Sequence, residues 1–452
     1  MPLNDQTPAL QGSDGQRERS GLEIQKRADN SCPISLLPVE ILAEIFSLCS
    51  PGDFDRYHSP HPHSAPLVFC LVCRFWREAA VSTPALWSHI RVASSGPSHS
   101  PSPEWIRTWL SRSGSCPLTV VLDGISDDSF SILESDAPGR VVSHMSVLYT
   151  EHHPLARLIP AGILSGTMSF EFFSIPLDAR PTTWAWDSLQ AAHGLRSLKW
   201  RGSTPGIVSH HLWHNGPWSQ LERLSIDTIS SDSILHILQR FVRLKHFTYG
   251  MHDLSHSQSL YDVTAHTLTS LHASGETVVH AFRHLTLPAL RTLHIETLSG
   301  MAPLKEFLSR SRPPLSELSV TTITSSEEEL LECLQLITTP LTKLSINDCY
   351  PSSDEPPWVT DRFLQLMTHA GAGTHLLPHL RSLTFRCKLR LTDGVLADMI
   401  ESRYLATTGA LEEVVVLLSE EASHVEDIRR LPRKPVGRTA VTIFISHPKL
   451  DN

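Results

Sequence analysis

The sequence predicts an α/β protein in two parts: a small all-helical module near the N-terminus, then an α/β solenoid, or horseshoe, in which short strands and helices alternate. Three observations carry this. Apolar residues recur at helical spacing over residues 35–49 and 67–80. From residue 195 onward a unit L-x-x-L-x-φ, with φ apolar, returns nine times. Between several of these units lie segments of helical period with their own start signals.

The bulk properties agree with a folded chain. Its 452 residues exceed one ordinary core and suggest several domains or one repeat array. An apolar fraction of 40%, with 22 Gly and 32 Pro, excludes collagen and wholesale disorder. The net charge of −9 is spread thinly and forms no basic stripe, so nucleic acid is not an expected partner. With no long apolar run and no apolar leader in MPLNDQTPALQGSDGQRERS, the expectation is an intracellular protein, in cytoplasm or nucleus, with no membrane partner. Its eight cysteines are sparse and mostly lie in apolar periodic segments, as expected of reduced thiols rather than a disulfide framework.

Residues 1–31 lack apolar periodicity and are expected to be a disordered tail. A helical module is expected over 32–95. Pro38 suits the first position of a helix, and Glu40 lies in its first turn, near the positive end of the dipole. Ile41, Leu42, Ile45, Phe46, Leu48 and Cys49 cover an arc of roughly 160°, wider than one partner helix needs. Pro51 to Pro66, rich in Pro, His and Ser, is a loop. A second helical pattern runs from Leu67 to Ala80, with Val68, Leu71, Val72, Phe75, Trp76 and Ala79 on one side, and Thr83 to Ile90 closes the module.

The strings LPVEILAEIF, LVCRFWREAA and TPALW, in that order, resemble an F-box of the fungal type. The likeness covers roughly residues 34–90. It implies docking on the Skp-type adaptor of a cullin-RING ubiquitin ligase, with Leu37, Pro38, Ile41, Leu42, Ile45, Phe46, Val72, Trp76, Pro84, Leu86 and Trp87 as adaptor-binding candidates. Each of these also suits a small helical core. Trp87 is a good anchor by residue type.

A Ser/Pro-rich linker and a connecting helix are expected over 96–116, and the solenoid over 117–452. The nine units start at Leu195, Leu221, Leu244, Leu268, Leu290, Leu315, Leu341, Leu380 and Leu411. Most starts lie about 20–29 residues apart, as in leucine-rich repeats. Weaker copies stand at Val142, Met168 and Ala440. Asp232, Ser326 and Thr392 precede the intervening helical segments. The resemblance is to irregular leucine-rich repeats, since only the unit from Leu341 to Cys349 has the Asn/Cys-type position after its strand.

The chemistry-bearing clusters are sparse. His61, His63, Cys70 and Cys73 can be drawn as H-x-H-x6-C-x2-C, but H-x-H is tighter than usual zinc spacing, and the helical pattern accounts for both cysteines. His210 and His214 share a helical spacing without the Glu of a zinc protease. No metal site and no cofactor are expected. No nucleophile elbow, phosphate loop, dinucleotide fingerprint or kinase triplet occurs, so no catalytic residue is named and no enzyme is expected.

Solenoids present extended faces that bind proteins. Within each unit the x residues alternate with the leucines and should face outward. Lys199, Arg223, Ser225, His246, Thr248, His272, His294, Glu296, Ser319 and Ser345 are the target-binding candidates, each of which solvation alone would also explain. Their mixed charge favours a protein or peptide over a phosphate-rich ligand. The expected function is the substrate-receptor subunit of a Skp-cullin-F-box ubiquitin ligase with an unknown target protein. The alternatives are an F-box scaffold that promotes no ubiquitin transfer, and a metal-dependent enzyme using the histidine clusters.

Overall fold

The structure is a computed structural model describing residues 33–49, 65–93, 102–123, 132–133, 135–136, 140–150, 164–175, 189–201, 216, 218–227, 229, 231–250, 261–275, 278–324, 326–348, 359–368, 375–387, 389–404, 411–418, 424–431 and 440–445. The tail of residues 1–31, most of the loop between the first two helical patterns, and the cluster around His210 and His214 lie outside them. Two compact units divide the chain: residues 1–91 with 104–116, and residues 92–103 with 117–452.

The first unit is helical. A 3-10 turn, Pro33–Leu36, precedes α1, Val39–Cys49, and the Pro38 carbonyl accepts the Leu42 amide at 3.1 Å. The pattern over 67–80 is two helices, α2 (Leu67–Val72) and α3 (Arg74–Val81), where one is expected. Cys73 between them is extended, with φ −158° and ψ 173°, and its Sγ accepts the Trp76 amide at 3.5 Å. A helix start leaves amides unpaired, and here the sulfur takes one of them. The Arg77 side chain donates back to the Cys70 carbonyl at 2.8 Å, tying the two helices across the break. Periodicity misses this because the apolar spacing is kept on each side. Pro84–Trp87 forms a 3-10 turn with proline at its start, and α4 is Pro103–Arg112.

The segment expected to be a connector carries core residues of this unit. Ile106, Trp109 and Leu110 of α4 are buried. The Trp109 indole donates to the His89 carbonyl at 2.9 Å.

The second unit is built on a parallel sheet whose strands lie in chain order, each beside the next, from Leu118–Asp123 to Ala440–Ile445. The register repeats. Leu198, Leu224, Phe247, Leu271, Leu293, Leu318, Leu344, Leu383, Val414 and Val441 are successive cross-strand partners. All but the last are buried, because alternation along a strand sends this position and the one two residues on to the same inner face. The segments at Val142, Met168 and Ala440 lead into strands of the same sheet.

Helices follow several strands and add their own apolar faces, as with Ile234, Leu235 and Leu238 in Ser231–Arg240. Ser326 caps Glu327–Gln335 by accepting the Glu329 amide at 3.3 Å. Carboxylates at or near helix starts join one strand–helix segment to the next. Glu327 accepts the Thr360 amide at 2.6 Å, Asp361 the Thr392 amide at 2.7 Å, and Asp393 the Glu426 and Asp427 amides at 2.9 and 3.0 Å. Among the described residues, no helix is long and apolar enough to cross a membrane.

Candidate partner-binding surfaces

The helical unit sorts its apolar side chains by packing. Leu42 and Phe46, one turn apart on α1, are buried. The Phe46 ring stacks on Phe69 with centroids 4.2 Å apart, and Trp76 tilts against it at 5.0 Å. Along the other edge of the same apolar arc, Ile41, Ile45 and Leu48 form an i, i+4, i+7 stripe that is 50%, 36% and 79% exposed. Leu71 and Val72, at the end of α2, are 61% and 56% exposed. This is costly apolar exposure of the kind that marks an interaction surface.

The adaptor-binding candidates therefore divide. Pro38, Ile41, Ile45, Val72 and Pro84 are exposed, while Leu37 and Trp76 are half-buried. Leu42, Phe46, Leu86 and Trp87 are buried in the unit's own core. Trp87 is fully enclosed: its indole donates to the Ala80 carbonyl at 2.8 Å, and the Arg112 guanidinium lies 4.4 Å above its ring. It anchors the unit's own core. Leu36, Leu48 and Leu71 are exposed apolar residues outside the candidate set. Leu48 and Leu71 do lie in the apolar arcs, so their signal was in the helical period.

The histidines of the drawn zinc pattern, His61 and His63, lie outside the described residues. Both cysteines have other surroundings: Cys73 caps α3, and burial pushes the Cys70 thiol up against the opposing influence of Arg112 and Arg77. The six described cysteines are all free, with Cys333 and Cys387 buried and Cys49 and Cys73 exposed.

On the second unit, seven target-binding candidates fall in one cross-strand row. Lys199 pairs with Ser225, then Thr248, His272, His294, Ser319 and Ser345 follow strand by strand. Arg223 and His246 pair in a neighbouring row, and Glu296 lies two residues beyond His294. Arg223 and His246 are exposed and the other eight half-buried, so the row is a polar face opposite the leucines.

Its charges are interlocked. Lys199 Nζ lies 2.7 Å from Glu171 Oε1 on the preceding strand. Glu296 Oε1 lies 3.2 Å from His272 Nε2 and 3.4 Å from His294 Nε2. Partial loss of hydration lowers the affinity of the exposed His246 for a proton, and Arg223 and Lys245 lower it further while Glu222 opposes. Asn347, on the same face, donates to Thr321 Oγ1 at 3.3 Å. The face offers both signs and many short hydrogen-bonding groups, which suits a polypeptide ligand.

Comparison with known proteins bears on the helical unit. Residues 34–93 match the F-box-like family. No curated protein matches the chain. F-box domains bind Skp-type adaptors of Skp-cullin-F-box ubiquitin ligases, so the matched region ties the helical unit to adaptor binding.

Proposed function

We propose that the chain is the target-recognition subunit of a Skp-cullin-F-box ubiquitin ligase. The helical unit docks the adaptor, and the sheet-bearing unit acts as a solenoid of irregular leucine-rich repeats that holds a target protein on its polar face. The observation that carries this reading is the exposed apolar stripe Ile41, Ile45 and Leu48, lying within the family-matched residues. A helix with a buried face and a second exposed apolar face is suited to a partner's groove.

On this reading the chain has no catalytic residue and works inside the cell, in cytoplasm or nucleus. Ubiquitin transfer belongs to the ligase partners. The chain raises the effective concentration of target lysines near the charged carrier. The test is co-purification of the full chain with a recombinant Skp-type adaptor. A stable complex that recruits the cullin supports the proposal, and a folded chain that fails to bind at micromolar concentrations overturns it. A captured partner that gains no ubiquitin in the reconstituted ligase would instead identify a scaffold.

A further inference from the structure

We propose that His272, His294 and Glu296 form a binding site for a divalent transition-metal ion of the zinc class on the polar face of the sheet. The proposal needs no assumption about ubiquitin ligation, only the placement of three side chains.

The sheet register brings them together. His272 and His294 are direct partners on the adjacent parallel strands Ser270–Ser274 and Thr292–Ser299, although 22 residues separate them in sequence. Glu296, two residues along from His294, returns to the same face by strand alternation. The two imidazole rings lie 4.1 Å apart at 35°. One ligand atom from each of the three residues falls within 4.8 Å of the others.

The distances suit a small cation. Zinc holds nitrogen and oxygen donors at about 2.0–2.1 Å, so neighbouring donors on its tetrahedron lie about 3.3 Å apart. Glu296 Oε1 lies 3.2 and 3.4 Å from the two histidine Nε2 atoms. Two imidazoles with one carboxylate favour zinc or its late first-row neighbours over magnesium or calcium, which prefer all-oxygen shells.

The site is also pre-organised. Leu271, Leu293 and Ile295, which alternate with the three donors, are fully buried and hold both strands in place. The donor side chains are 34–43% exposed, so an ion reaches them from solvent and keeps an open coordination position. Ser274 hydrogen-bonds Glu296, as a supporting group around a metal ligand does. Lys343 is the nearby charge that opposes a cation.

A second cluster, Asp393, His424 and Asp427, lacks this freedom. Asp393 accepts two backbone amides, and Asp427 is bonded to the Ala397 amide and His424. Those carboxylates are already committed to joining strand–helix segments.

The test uses the full chain, stripped of metal by a chelator that is then removed, and titrated with zinc by calorimetry. One equivalent should bind, with affinity reduced at least tenfold in His294→Ala and in Glu296→Gln. Both substitutions lie on the polar face, and circular dichroism checks their folding. In the unaltered chain, zinc should protect His272 and His294 from diethyl pyrocarbonate, read by peptide mass spectrometry. That readout does not depend on any variant folding. Absence of protection at saturating zinc overturns the site, leaving a hydrogen-bonded His–Glu cluster. Unchanged affinity in both folded variants also overturns it, since the ion would then be held elsewhere.

Discussion

The indole rings of Trp87 and Trp109 meet edge to face, with centroids 4.7 Å apart and planes at 74°. Both are buried, and each donates its N–H to a backbone carbonyl of the same helical unit, Ala80 for Trp87 and His89 for Trp109. The core that encloses Trp87 is therefore completed by α4, beyond the segment that resembles an F-box.

A fragment of residues 32–116 should fold more stably and more cooperatively than one of residues 32–95, which lacks Trp109 and Arg112. In the full chain, Trp109→Ala should destabilise the helical unit by about 3–5 kcal/mol, the usual cost of emptying a buried aromatic site. Urea denaturation followed by tryptophan fluorescence checks both. Equal midpoints for the two fragments would contradict the role given to α4.

Neighbouring residues on α1 should behave oppositely. Ile45→Asp alters a side chain that is 36% exposed, so it should cost far less stability than emptying the Phe46 site while adaptor affinity falls at least tenfold, about 1.4 kcal/mol. Phe46→Ala removes the ring stacked on Phe69 and should cost about 3–5 kcal/mol of stability. Calorimetric binding and thermal unfolding separate the two effects. An Ile45→Asp chain that binds the adaptor normally would remove the exposed stripe from the interface.

The contact that Asp427 makes with the preceding helix should matter to the C-terminal strand–helix segments. Its buried carboxylate accepts the Ala397 amide at 2.9 Å and lies 3.2 Å from His424 Nδ1. Asp427→Ala leaves the Ala397 amide without its partner. The loss should be about 1.5–3 kcal/mol, in the range of hydrogen bonds to charged groups. Hydrogen exchange should show the protection loss concentrated over residues 395–431, whereas a uniform loss over the sheet would argue against a local staple.

Stability should decline on mild acidification. Burial holds the His144 imidazole below its ordinary range, with Glu171 opposing and Lys199 reinforcing the depression. The half-buried His294 is shifted the same way by burial, with His272 reinforcing and Glu296 opposing. Because the folded values are lowered, the unfolded chain takes up protons first. Stability is then full above about pH 6.5 and is lost as pH falls from there towards the folded values. Urea midpoints between about pH 7.5 and pH 5.5 should fall, and less steeply in His144→Gln. An unchanged slope in that variant would exclude His144 as a contributor.

The parts of this protein that the sequence alone determined are those written in local period. Leu271 with Ala273, and Leu293 with Ile295, are buried because alternation is a property of the strand backbone, legible wherever the leucines recur. The apolar arc of α1 was legible for the same reason, as was the Ser326 cap. Tertiary structure decided which side of that arc is core: Phe46 turns to Phe69 while Ile45, its neighbour, stays outside. It also decided the break at Cys73, the recruitment of Trp109, the staples from Glu327, Asp361 and Asp393, and the meeting of His272 and His294 with Glu296. Those contacts join residues up to 34 apart, or depend on a single backbone dihedral, and neither leaves a repeating mark in composition. Periodicity specifies which face a residue takes on its own element, whereas the partner it meets depends on loop lengths, register and the packing of every element between.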